Sequence, residues 1–228
     1  MKTIKSNRLK TALFVVCSAV LGSHAWATVV TWNLNPTGAN ADLSSNSQDF
    51  IVSGYTITGR GYDNNSGIGS PHDLHFKNAG SDEVGLGLTG TLNFELQVDN
   101  HGNPLQFIQL DLRSILSQGF TNGKIEVGSV QSGESFFLYG SNTLGNLGTK
   151  LNSIAYDSTK DDVFISVPSF GSNQFISVVA AAADVLPVAF QATIVPVPEC
   201  PSLIPAASLV ALLTVLDIRR RRRANATV

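Results

Sequence analysis

The sequence predicts an all-β, antiparallel sandwich or jelly-roll-like body over residues 28–195, followed by a short C-terminal transmembrane helix. Three observations carry that expectation. Leu92, Phe94, Leu96 and Val98 are apolar while Asn93, Glu95, Gln97 and Asp99 between them are polar, a period of two that suits a half-buried strand. Nineteen glycines fall in the body, and turn-forming clusters cut it into short pieces with no helical period sustained over three turns. The last apolar run, Pro201 to Leu216, is uncharged and precedes five consecutive arginines.

Within the body, looser alternation marks Phe50 to Thr58, Gln106 to Leu112, Lys124 to Val130, Asp162 to Val167 and Phe175 to Val179 as further strands. The expected turns between them are Gly59-Arg60-Gly61, Asp63-Asn64-Asn65-Ser66-Gly67, Asn100-His101-Gly102-Asn103-Pro104, Thr121-Asn122-Gly123 and Ser132-Gly133. Ser132 to Gly148, rich in Gly, Asn and Ser, reads as a hairpin with a long loop. Ten to twelve short strands over about 170 residues suit two packed antiparallel sheets, with an open barrel as the alternative. No Pro- or Ser-rich linker divides the stretch, so one body domain is expected. A body of that size buries about 70% of its unfolded surface and does not need covalent staples.

The ends read as addresses. Residues 1–27 hold a basic start, an apolar run from Ala12 to Gly22, and the small-x-small pair Ala25-Trp26-Ala27, the pattern of a secretory signal cut after Ala27. Residues 196–228 begin with Pro196-Val197-Pro198-Glu199-Cys200-Pro201 and end in the basic cluster Arg219, Arg220, Arg221, Arg222 and Arg223. As a helix, the apolar run would reach about 24 Å, short of the roughly 30 Å hydrocarbon layer, and arginine snorkelling or local thinning would close the gap. The arginines fix the tail on the cytoplasmic side, so the body faces outward before any processing.

Charge separates body from ends. The formal net charge of −2 conceals 6 Lys or Arg against 16 Asp or Glu between Thr28 and Glu199, a balance of −10. Such a surface repels phosphate backbones, which argues against nucleic-acid binding. Cys17 and Cys200 both lie outside the body, so it has no cysteine to pair.

The tail, a Pro-Glu turn followed by a short apolar helix and a terminal arginine cluster, resembles the PEP-CTERM sorting signal of Gram-negative bacteria. Pro198 and Glu199 match the first two motif positions, while Cys200 stands where a proline is usual and Pro201 follows one place later. The resemblance implies a partner, the membrane-embedded exosortase, which would cut near the motif and pass the body to the cell surface or an exopolysaccharide matrix. Ser81-Asp82-Glu83-Val84-Gly85-Leu86-Gly87-Leu88 and Phe136-Phe137-Leu138-Tyr139-Gly140-Ser141 also resemble strands of that family, more loosely.

Catalytic and cofactor chemistry finds little purchase. Gly85-Leu86-Gly87-Leu88-Thr89-Gly90 has the spacing of a dinucleotide loop, but an alternating stretch follows it where a phosphate-binding helix is required. His72 and His75, three apart, would face opposite sides of a strand, which disfavours a shared metal. Asp63 and Asn65 are the candidate calcium ligands, in a turn that fails the EF-hand spacing at Gly67. No nucleophile elbow accompanies the histidines, and no carboxylate pair stands out. Trp32, Tyr55, Tyr62, Tyr139 and Tyr156 are candidates for stacking on sugar rings, with a core role as the alternative for each. The reading is a secreted, non-enzymatic structural or adhesive protein without cofactor. A carbohydrate-binding module is the alternative, and a glycan-active enzyme a further one.

Overall fold

Thr28-Val29-Val30-Thr31-Trp32-Asn33 is β-branched and buries alternate side chains, and it forms the first strand, β1 (Thr28–Asn33). The computed structural model describes residues 26–80, 83–98 and 104–195, and Ala27–Val195 makes one compact unit. The signal segment up to Ala25 and the whole tail from Pro196 lie outside the described residues. After β1 come β2 (Ala41–Asp42), β3 (Ser47–Val52), β4 (Tyr55–Asn65), β5 (Ile68–Pro71), β6 (Leu74–Asn78) and β7 (Val84–Leu88). The second half holds β8 (Gln106–Asp111), the short helix α1 (Arg113–Ser117), β9 (Thr121–Gly128), β10 (Ser135–Ser141), β11 (Thr149–Lys150), β12 (Tyr156–Asp157), β13 (Ile165–Ser166), β14 (Phe175–Ala182) and β15 (Leu186–Ile194).

All ladders between these strands are antiparallel, in three sheets. One runs β1-β15-β9-β13, and a larger one runs β11-β10-β14-β8-β4-β3 with β12 on β10 and β5 on β4. The third is β2-β6-β7. Trp32, Ile125 and Phe190 of the first sheet, Ile57, Leu110 and Val178 of the second, and Leu74 and Leu86 of the third join one buried cluster. The arrangement is therefore sandwich-like, with one core shared between sheets. A smaller cluster, Tyr62, Phe107, Leu147 and Val179, covers part of the opposite face of the large sheet, so β14 is buried on both faces for most of its length.

Tight turns follow the local chemistry. Ser53-Gly54 and Ser66-Gly67 both take two successive positive φ values, closing the β3–β4 and β4–β5 hairpins with two-residue loops. Pro187 lies in a central strand, where its missing N–H is accommodated at a register shift against β9.

Several expectations are corrected. The clearest alternation, Leu92 to Val98, is not a strand: Leu92–Phe94 is a single 3₁₀ turn, and only isolated bridges at Leu96 and Val98 follow. Asn93 and Phe94 take positive φ, which exposes Leu92 and turns Glu95 inward. Gly59-Arg60-Gly61 is not a turn but the middle of β4, because a Cβ at Gly59 would meet Leu86 at 2.8 Å and one at Gly61 would meet the His72 carbonyl at 2.4 Å. Thr121-Asn122-Gly123 likewise opens β9 instead of preceding it. The Asp162 to Val167 strand shrinks to Ile165–Ser166. Among the described residues, no helix is long and apolar enough to cross a membrane, and the predicted span from Pro201 to Leu216 lies outside them.

Candidate functional site

Of the predicted processing residues, only Ala27 is described, directly before β1. Ala25, Pro198, Glu199, Cys200 and Arg219 to Arg223 lie outside the described residues. What the structure does define is where the unit's ends emerge. Thr28 pairs with Ile194 and Val29 with Thr193, so the chain enters through β1 and leaves through β15 at the same end of one ladder.

A groove of about 690 Å³ includes Thr193 in its wall. Thr121, Asn122 and Lys124 of β9, Ser166 of β13 and Phe170 are also among its lining residues. Gly123 is what admits that ring, since a Cβ there would fall 2.1 Å from Phe170. The opposite side of Phe170 packs towards Phe190, with centroids 6.1 Å apart. Hydroxyls, an amide, one ammonium and a ring edge make a hydrogen-bonding surface, and no carboxylate lines it. A smaller groove of about 380 Å³ lies between Thr56, Thr58, Asp111, Arg113 and Ser114. There Arg113 grips Asp111 through two bonds of 3.0 and 2.7 Å and lies over the Phe175 ring at 5.1 Å, so the carboxylate is already engaged.

The sequence-singled histidines are separated into two local links. His72 contacts Asp63 Oδ1 at 2.8 Å through Nδ1 and the Thr89 carbonyl at 2.7 Å through Nε2. His75 contacts Asp42 at 2.6 Å and Asn40 at 3.1 Å, and its ring stacks on Phe94 with centroids 3.8 Å apart. Asp63 is thus drawn to His72, while Asn65 donates to Ser70 Oγ at 2.7 Å and Asn64 Oδ1 accepts the Gly67 N–H. Among the described residues, no three metal-ligating side chains converge.

None of the five candidate stacking aromatics is exposed. Trp32 is fully buried, donating its indole N–H to the Tyr55 carbonyl at 3.0 Å, and Tyr62 stacks on Phe107. Tyr55 packs edge-on against Phe120, and Tyr156 packs at a tilt against Phe136. Tyr139 is half-buried beside Phe137, whose ring is covered by the Lys150 ammonium at 3.4 Å.

Sequence reasoning missed a buried charge cluster. Lys77 of β6 bonds Glu83 Oε2 at 2.7 Å and also bonds Glu95 Oε1, and the side chains of Lys77 and Glu95 are each 4% exposed. Burial alone would push the Lys77 ammonium down, but hydrogen bonds to Glu83 and Glu95 outweigh it and hold its pKa above the ordinary lysine value. Asp184 lies within reach of the same ammonium, and burial raises its carboxyl pKa. A lysine ending Leu74-His75-Phe76-Lys77 gave no sign of this, but the inward turn of Glu95 is what breaks the alternation from Leu92.

The fold and these surfaces define the class only as an antiparallel all-β protein with a polar groove at one end. No protein-family model matches the chain, and no curated protein does. Among solved structures, the chain is similar to the K1 cleaved adhesin domain of Lys-gingipain from Porphyromonas gingivalis W83, at 12% identity over 75% of this chain and 99% of that one. The TM-score is 0.26, too low for that likeness to speak for a shared fold or function.

Proposed function

We propose that the chain is an exported, exosortase-sorted protein of the cell surface or exopolysaccharide matrix, whose body acts as a structural or adhesive module without enzymatic chemistry. The observation that carries this reading is the extent of the folded unit. Ala27–Val195 fills the segment between the two predicted addresses, so cuts after Ala27 and near Pro198 would release the sandwich with every strand retained. The body's balance of 6 basic against 15 acidic residues, −9 over 28–195, set against basic ends, supports the same division, because all the signal-like basic charge lies outside the folded unit. Processing is the direct test. Glu199→Ala should trap a membrane-bound precursor, whereas Cys200→Pro should change the processed fraction little. Unchanged processing in both variants would remove the motif from the proposal.

A second reading, a carbohydrate-binding module, is favoured by the groove at Phe170, where hydroxyl and amide groups surround a ring edge. Retention of the mature protein on the host's exopolysaccharide, lost in Phe170→Ala, would support it. Equal retention of both proteins would contradict it.

A further inference from the structure

We propose that the outward face of the large sheet binds an acidic sugar, with the sugar carboxylate on Arg60 and the sugar ring in the groove beside Arg113. This site is separate from the groove at Phe170, whose strand residues come from the four-stranded sheet. It takes up the carbohydrate-binding reading and does not depend on how the chain is sorted.

Register puts the two arginines on one face. Arg60 of β4 lies opposite Gln109 of β8 and Ser47 of β3, and Thr58, two residues earlier, lies opposite Asp111 and Asp49. Residues two apart on a strand share a face, as do residues directly opposite each other. Ile57 and Leu110, of the other parity, point into the shared core, so Arg60, Thr58 and Asp111 point outward. Arg113 joins them from α1, because it holds Asp111 and lies over the ring of Phe175, the β14 partner of Asp111. No other arginine occurs between Thr28 and Val195, so an acidic body collects both of its arginines in one place.

The fold leaves one of these two cations unanswered. Among the described residues, Arg60 Nε is the one buried side-chain polar atom without a hydrogen-bond partner, and no carboxylate forms an ion pair with Arg60. The two carboxylates on this face are engaged elsewhere: Asp111 by Arg113, and Asp49 by the Thr58 hydroxyl at 2.6 Å. Burial raises the Tyr62 hydroxyl pKa and the Arg60 charge opposes that rise, which puts the guanidinium within electrostatic reach of the next outward residue of β4. Because Nε is withdrawn from water, a carboxylate meets Arg60 end-on, at the two terminal nitrogens, in the bidentate geometry that a planar fork favours.

The adjoining groove suits the rest of a sugar. At about 380 Å³ it reaches the size of small-molecule sites, which start at about 300 Å³. Thr56, Thr58 and Ser114 are among its lining residues and carry hydroxyls, and Arg113, with 53% of its side chain exposed, has N–H groups beyond the two that bond Asp111. An acidic sugar offers ring hydroxyls to these groups and a single carboxylate to Arg60. A nucleic acid would instead carry a row of phosphates across Asp49 and a body of net charge −9.

The test is thermal unfolding of the full chain in detergent, followed by circular dichroism, with three probes: a trimer of galacturonic acid, maltotriose, and sodium acetate at equal carboxylate concentration. Only a ligand that prefers the folded body moves the transition, so binding to Arg219–Arg223, outside that unit, does not register. The galacturonate trimer should raise the unfolding temperature by about 3 °C at about ten times its Kd, and the other two probes should leave it unchanged. Arg60→Gln should abolish the rise, and so should Ser114→Glu, which sets a negative charge at an exposed position of the groove and keeps the test decisive if Arg60→Gln fails to fold. Lys160→Gln, which removes an exposed charge elsewhere, should keep the rise. No rise in the wild type would overturn the proposal, as would a rise that survives in folded Arg60→Gln or in Ser114→Glu, or one lost in Lys160→Gln. An equal rise with maltotriose would overturn the requirement for an acid, and an equal rise with acetate the requirement for a sugar. Processing plays no part in these measurements, so their failure would leave the sorting proposal standing.

Discussion

Replacing Trp32 by alanine tests whether this residue is core or ligand platform. Its side chain is fully buried in β1, between Phe120 at 5.7 Å and Phe190 at 6.1 Å. Its N–H also holds the Tyr55 carbonyl, joining the four-stranded sheet to the large one. Removing a buried indole costs about 4 kcal/mol in lost transfer energy and cavity. Leaving the Tyr55 carbonyl unpaired adds about 1 kcal/mol, for a total near 5. Trp32→Phe keeps most of the volume and should cost about 2 kcal/mol, the lost hydrogen bond plus a residual void. With a guanidinium slope of about 4 kcal/mol/M for a body of this size, the midpoints should fall by about 1.2 M and 0.5 M respectively. Unfolding of the mature body followed by circular dichroism reads both shifts. An alanine variant within about 0.2 M of wild type would refute the packing described, because a peripheral stacking residue leaves stability nearly unchanged.

Other consequences follow from particular contacts. Gly87→Ala places a Cβ against the Phe94 backbone, which cannot swing aside as a side chain can, so it should cost more than about 3 kcal/mol in the same titration. Burial raises the carboxyl pKa of Glu126, with Asp162 adding to the shift, and burial likewise raises those of Glu134 and Asp184. A raised carboxyl holds its proton longer in the folded state, so its contribution to stability falls as pH rises from the ordinary carboxylate range through the folded pKa. As pH falls through that window these three carboxyls should add stability, and Glu126→Gln should remove its share of that gain; an unchanged slope would contradict the assignment. Because Asp63 is engaged by His72, added calcium should leave the unfolding temperature unchanged, and a rise of several degrees would mean the β4–β5 loop opens to hold the ion. A thiol reductant should also leave unfolding of the body unchanged, since no cysteine lies between Thr28 and Val195.

Two strands legible in sequence, β8 and β14, are buried on both faces, so their apolar content marked them more than any alternation of burial. β8 and the first part of β14 fall within the predicted segments, and Ser132-Gly133 does separate β9 from β10. Glycine misled the reading where it marks close approach instead of a turn: Gly59 and Gly61 lie mid-strand under Leu86 and the His72 carbonyl, and Gly123 lies under the Phe170 ring. β15 carried no visible signal because Pro187 breaks its pattern and both of its neighbours bury it. The Leu92 to Val98 alternation failed for a different reason. Its polar member Glu95 finds a buried ammonium, and that long-range pairing outweighs a local period of two. The groove walls come from β9, β13 and β15, elements up to about seventy residues apart, so no local pattern could bring them together. The proposed processing signals, by contrast, are linear patterns read without any fold, and apart from Ala27 they lie outside the described residues.

The central claim is that both ends are removable addresses around a self-contained acidic sandwich. Intact mass of the protein recovered from the envelope or matrix of its native host tests it most directly. The account predicts a chain that begins at Thr28 and lacks Arg219 to Arg223. A chain ending at Val228 in the outer envelope would contradict sorting and leave the C-terminal segment as an ordinary membrane anchor.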